Sequence, residues 1–265
     1  MRVLTAQLPP YPDSADKIVT TGSAVIMLDG ASAFVPVPVP VSDYADHLAR
    51  CLRRGLQRDP KCELVGLLAE GIDATARRFG LTPGESPSST VTILRELDGC
   101  VEVVMLGDNL VVFPDAEVTD SRMDELDLAP RRAYQGYLAA GGGYDETLRS
   151  LLKELQTEQA ERRNRPGGYW IAEADPSAAE HAVQVRRTIE TTPWAVMSTD
   201  GAYNTMRHLG LSNWDSLIQS SSDSLAELLG WCRRWEAEND PSGEHLPRAK
   251  RHDDKSIAVV RFDRG

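Results

Sequence analysis

Four apolar runs of this chain stop at, or start from, an aspartate. Ala24-Val-Ile-Met-Leu28 closes on Asp29-Gly30, Val101-Glu-Val-Val-Met-Leu106 on Gly107-Asp108, and Ala195-Val-Met-Ser-Thr199 on Asp200-Gly201. Asp253-Asp254 stands just ahead of Ile257-Ala-Val-Val-Arg-Phe262. A short apolar run bounded by turn residues reads as a strand buried on both faces, and such a strand fixes the carboxylate at its end. Carboxylates collected in this way from distant parts of a chain suit a hard divalent cation, because several oxygens together replace the water around Mg²⁺ or Mn²⁺. The pattern points to metal-assisted chemistry, with phosphate ester hydrolysis the reaction it best suits.

Composition narrows the partners. The 265 residues are 41% hydrophobic and 26% charged, which suits a globular fold with a proper core. The formal charge of -11 makes the chain a poor match for a nucleic acid backbone or an anionic membrane. Arg131-Arg132, Arg162-Arg163-Asn164-Arg165 and Arg248-Ala249-Lys250-Arg251 are the local basic patches, and each reads first as a solvated face. Cys51, Cys62, Cys100 and Cys232 show neither Cys-x-x-Cys nor zinc-finger spacing, so free thiols in a reducing cytosol are expected. No secretory leader or membrane span is legible, and the expected location is cytoplasmic.

Strands are predicted over 17–20 and 23–28, then a polyproline-like connector over Phe34-Val-Pro-Val-Pro-Val-Pro-Val41, where alternating proline cannot pair in a sheet. Helices follow over 42–57 and 62–79, the second ended by Gly80. Strands over 90–97 and 100–106 flank Asp98-Gly99, a hairpin signal, and a further strand runs over 110–113. Residues 120–165 read as helical, in two segments broken by Gly141-Gly142-Gly143. Strands over 169–172, 183–190 and 194–199, a helix over 225–238 and a last strand over 257–262 complete the chain. Strands come in runs rather than alternating with helices, which favours an α+β layered sandwich. No repeat or boundary divides residues 1–265, so one domain is expected.

Asp-Gly alone is a turn signal, as at Asp98-Gly99. The ordered set Ala15-Asp16, Asp29-Gly30, Leu106-Gly107-Asp108-Asn109, Met197-Ser198-Thr199-Asp200-Gly201 and Asp253-Asp254-Lys255-Ser256 resembles the metal-dependent protein phosphatases of type 2C (PPM), in a divergent, bacterial-like form. The resemblance implies a four-layer α-β-β-α sandwich with two central antiparallel sheets. The helical stretch 120–165 would stand where the family carries its flap. It further implies two Mg²⁺ or Mn²⁺ ions, with room for a third, weaker site. Asp29 would bridge the two, with the carbonyl of Gly30 as a further ligand. Asp200 and Asp253 would complete one shell, Asp16 would serve the second metal, and Asp108 with Asp200 the third. Asp29, Asp200 and Asp253 would be catalytic through a metal-activated water. The implied substrate is a phosphoserine or phosphothreonine protein, paired with a serine/threonine kinase. Neither nucleic acid nor membrane is an implied partner.

Departures from the family pattern motivate a second reading. Ala15 replaces the usual acidic residue before Asp16, and no arginine lies between Arg2 and Arg50 to grip a phosphate; Lys17 or a residue from elsewhere is left for that role. Ala31 cannot act as the histidine some members place after Asp-Gly, and His252, beside Asp253, is the nearest substitute. These changes admit a pseudophosphatase that binds a partner without turnover. Hydrolysis of small phosphorylated metabolites is a third possibility.

Overall fold

The computed structural model describes residues 1–262. The strands are β1 (Arg2–Leu8), β2 (Lys17–Thr20), β3 (Ala24–Gly30), β4 (Ser89–Leu97), β5 (Cys100–Leu106), β6 (Leu110–Phe113), β7 (Ala116–Val118), β8 (Val183–Thr188), β9 (Trp194–Ser198) and β10 (Lys255–Arg261). The helices are α1 (Val41–Arg58), α2 (Leu64–Phe79), α3 (Ala129–Ala139), α4 (Glu146–Arg162), α5 (Asp200–His208), α6 (Trp214–Leu217) and α7 (Ser222–Glu238). Two five-stranded sheets form, in the orders β1-β10-β9-β6-β7 and β2-β3-β4-β5-β8, every neighbouring pair antiparallel.

Alternation along the strands builds the layers. Val25, Met27, Leu94 and Val103 of one sheet meet Val111, Ala195, Met197 and Ala258 of the other in a shared core. The opposite faces carry Ile26, Leu28 and Ile93 against α1 and α2, and Val112, Val196 and Val259 against α5 and α7. The expected α-β-β-α order is therefore present. In α1, Tyr44, Leu48, Leu52 and Leu56 recur every fourth residue, so one stripe buries against the sheet. Glu63 caps α2 by accepting from the amides of Val65 (2.7 Å) and Gly66 (2.6 Å), and Gly80 ends it in the left-handed region at φ 64°. Asp98 and Gly99 both take positive φ, 49° and 75°, which closes the β4–β5 hairpin as the sequence predicts.

Three local expectations change, and one element is new. Residues 2–8 form β1, which pairs along its length with β10. Residues 120–128 are turns, not helix, because the Arg131 guanidinium collects the carbonyls of Met123 (2.8 Å), Asp124 (3.2 Å) and Leu126 (3.4 Å) into a tight coil. Residues 169–172 make only two isolated bridges, Ser89 with Ala172 and Arg163 with Tyr169. A helix, α5, starts at Asp200, where only a strand end was expected. The α3–α4 pair has its own small core of Leu128, Leu138, Leu148, Leu152 and Leu155.

Candidate active site

The register of the central strands sets the site. Asp29 pairs with Thr90 and Gly30 with Ser89; the Asp29 amide donates to Thr90 Oγ1 (3.1 Å), and Ser89 Oγ donates to the Asp29 carbonyl (2.8 Å). Gly30 is buried, and a Cβ there would meet Val41 Cγ1 at 2.7 Å. Asp108 follows Gly107, which holds φ 84° in the turn from β5 to β6 and lies against Thr90. Asp200 opens α5. The next residue must be glycine, since a Cβ on Gly201 would lie 2.1 Å from the Asp254 carbonyl. Asp253 precedes β10. The two sheets thereby bring Asp29, Asp108, Asp200 and Asp253 to the wall of one cavity of about 250 Å³.

Asp16 lies beneath them and is fully buried. Its Oδ2 accepts from Thr199 Oγ1 (2.9 Å), while its Oδ1 has no partner. Burial, with Asp253 and Asp254 nearby, pushes its carboxyl up to about 7. Burial also raises Asp108 to about 8, with Asp200 and Asp124 adding to it. Asp29 is raised by burial and by Asp16, Asp200 and Asp253. Asp200 is raised by burial and Asp253, against the pull of Asp29 and Lys250. Crowded carboxylates of this kind need protons or a cation.

With the side chains as they stand, no three His, Cys, Asp or Glu among the described residues close around a point that would hold an ion. Lys250 Nζ takes Asp253 Oδ1 at 2.8 Å. In chemistry the set fits a hard divalent cation. Every side-chain donor is oxygen, one lysine, Lys250, offsets only part of their mutual repulsion, and one buried oxygen, Asp16 Oδ1, is unpaired.

A second layer of contacts holds the backbone in place. Asp254 Oδ2 accepts from the Ala15 amide (2.6 Å) and Ser14 Oγ (3.1 Å), which ties the 14–16 turn to the start of β10. Lys255 Nζ donates to the Gly201 carbonyl (2.8 Å) and pairs with Glu236 Oε1 (2.6 Å). Glu236 is fully buried and also accepts from Thr205 Oγ1 (2.7 Å). His252 Nδ1 lies 3.2 Å from Glu236 Oε2, which engages its ring in this support rather than in the cavity.

Lys17 does not supply the missing phosphate grip. It is buried, donates to the Ser14 carbonyl and is not part of the cavity wall. Arg131 and Arg163, read from sequence as solvated, do line the cavity, whereas their neighbours Arg132 and Arg162 are exposed. Asp124 lines it too. Sequence reasoning missed the roles of Asp254, Lys250 and Asp124. The two arginines are marked only by their place in the 120–165 segment.

No protein-family model matches the chain, and no curated protein matches its sequence. Its fold is similar to that of solved phosphatases over nearly the whole length. The PPM Ser-Thr phosphatase MsPP from Mycobacterium smegmatis matches with a TM-score of 0.52 at 14% identity, covering 99% of both chains. PppA, a regulatory component of the type VI secretion system of Pseudomonas aeruginosa, matches at 0.54 and 13%, covering 98% of this chain and 97% of that one. The catalytic domain of the serine/threonine phosphatase PstP, solved with two manganese ions, matches at 0.51 and 12%, covering 97% and 96%. The chain therefore has the PPM phosphatase fold.

Proposed function

We propose that this chain hydrolyses phosphoserine and phosphothreonine in proteins with Mg²⁺ or Mn²⁺, and that residues 1–265 act as one catalytic domain. The convergence of Asp29, Asp108, Asp200 and Asp253 on one cavity, above the unpaired Oδ1 of Asp16, carries this reading. Asp29, the Gly30 carbonyl, Asp200 and Asp253 would hold the cations with Asp16, and Asp108 with Asp200 would offer a weaker third place. Cations bound there lower the pKa of water and offset charge on phosphoryl oxygens. The chain's own contribution is rigidity: Thr90 and Ser89 fix the Asp29 backbone, Thr199 orients Asp16, and the Lys255–Glu236 pair fixes the Gly201 carbonyl beside Asp200. On this reading no covalent nucleophile is required, since a water activated by the cations would attack phosphorus. The substrate would be a cytoplasmic phosphoprotein made by a serine/threonine kinase. Among the described residues no helix is long and apolar enough to cross a membrane.

One contact favours the second reading, a binding module with little turnover. Lys250 already neutralises Asp253, and its ammonium, lowered by burial, is held up more strongly by Asp253 and Asp29. Phosphate release from a phosphothreonine peptide, with and without Mn²⁺, compared with Asp200→Asn, separates the two. The enzyme requires release that depends on both the metal and Asp200. No release from wild type, together with no Mn²⁺ heat in calorimetry, establishes the module.

A further inference from the structure

A phosphatase site needs positive charge for the phosphoryl oxygens besides whatever the carboxylates hold. The upstream segment has none to give, because Lys17 is buried away from the cavity. The α3–α4 hairpin does. Arg131 stands in the first turn of α3, and Arg163 caps the end of α4. Both line the same cavity as Asp29, Asp200 and Asp253. Each guanidinium is already anchored. Arg131 spends Nη1 on three backbone carbonyls and a long ion pair with Asp124 Oδ1 (3.9 Å), and Arg163 donates from Nε to Tyr169 Oη (3.3 Å) and from Nη1 to the Ser86 carbonyl (3.3 Å). Among the described residues, Nε and Nη2 of Arg131 and Nη2 of Arg163 have no hydrogen-bond partner.

Resting on the phosphatase reading above, we propose that Arg131 and Arg163 together bind the phosphoryl group of the substrate, so that the helical hairpin takes over the task of the absent upstream arginine. Anchored guanidinium forks suit this, since the planar donors are ordered before the ligand arrives and less freedom is lost on binding. The cavity also sets the reach of the substrate. At about 250 Å³ it falls below the usual range of roughly 300–1,000 Å³ for pockets that enclose a whole small ligand. It admits a phosphorylated side chain whose backbone stays outside. Phe34 and Leu155 give it an apolar flank for the carbon stem.

The test measures binding and turnover separately. A phosphothreonine peptide and its unphosphorylated twin are titrated into the Asp200→Asn protein in EDTA, alone and combined with Arg163→Gln, Arg131→Lys or both. Preference for the phosphopeptide is expected to fall about tenfold for each arginine, the weight of one charge-assisted hydrogen bond. A preference that survives in the double variant overturns the proposal, as does an Asp200→Asn protein that shows none. In the otherwise wild-type protein the same changes are expected to raise KM and the inhibition constant of inorganic phosphate, with Mn²⁺ affinity by calorimetry unchanged. An unchanged KM overturns the proposal. Arg163 makes only two long contacts, so Arg163→Gln is the safe variant if replacement of Arg131 unfolds the 120–128 coil. If wild type releases no phosphate with Mn²⁺, the catalytic reading fails, and the EDTA titration still decides the fate of the arginines.

Discussion

The sandwich and the α3–α4 hairpin contribute opposite charges to one cavity, and they are built to different standards. The sandwich buries three continuous layers of side chains, and its aspartates sit at strand ends locked by paired neighbours. The hairpin rests on five buried leucines, and most of its residues face solvent. A small core is the first to open. The carboxylates are thus held by the most stable part of the molecule and the cations by the least. The aspartates are fixed by strand pairing, whereas Arg131 and Arg163 depend on the small core of the hairpin.

The comparison predicts its own breaking points. The largest effect is expected at the strand ends. Asp29→Asn or Asp200→Asn removes Mn²⁺-dependent phosphate release by at least about 100-fold. Because each change relieves like-charge crowding, the metal-free melting temperature stays level or rises, and calorimetric scans of the same samples check this. Next comes the buried support. Lys255→Met strands Glu236 without its cation and costs about 3–5 kcal/mol in urea denaturation. Leu152→Ala in the hairpin costs about 2–4 kcal/mol locally. Hydrogen exchange is expected to quicken in α3 and α4 while the sandwich amides keep their protection; uniform acceleration across the chain would erase the distinction between the two regions.

A smaller effect is expected with pH. Asp16 and Asp108 bind protons more tightly folded than unfolded, so they stabilise the metal-free protein below about pH 4, and that contribution is lost as pH rises towards about 7 and 8. The metal-free melting temperature should fall between about pH 5 and 8, and Asp16→Asn should flatten the fall. The smallest effect belongs to Lys250. Lys250→Met frees Asp253 and is expected to tighten Mn²⁺ binding severalfold by calorimetry. An unchanged affinity would remove the observation that favours the module.

The same division governs what could be read from the sequence. Continuous apolar runs and Asp-Gly pairs report sheet interiors and strand ends directly, so β3, β4, β5 and β9 and the cavity aspartates Asp29, Asp108, Asp200 and Asp253 were legible. β1 was not, because Arg2, Thr5 and Gln7 interrupt its apolar run and its partner β10 lies at the far end of the chain. The break at Gly141-Gly142-Gly143 made the two helices of the hairpin legible, but the place of Arg131 and Arg163 in the cavity wall was not. An arginine in a solvated stripe and one facing a carboxylate cluster look alike until the tertiary fold brings Tyr169 and Ser86 beside them. Nor does local spacing reveal that Asp254, Lys255 and Glu236 support the site, since their partners lie across the sheet.

The proline-alternating segment joins the two regions. It leaves β3 immediately after Asp29-Gly30, and the amides of Phe34 and Val35 both donate to Gln156 Oε1 on α4, at 2.5 and 2.9 Å. Alternating proline makes the following residues stiff, so the segment behaves as a strut with one end fixed by α1 and a branch hooked to the hairpin. Pro36, Pro38 and Pro40 all lie between that hook and α1, so the stiff stretch ties α4 to the start of α1.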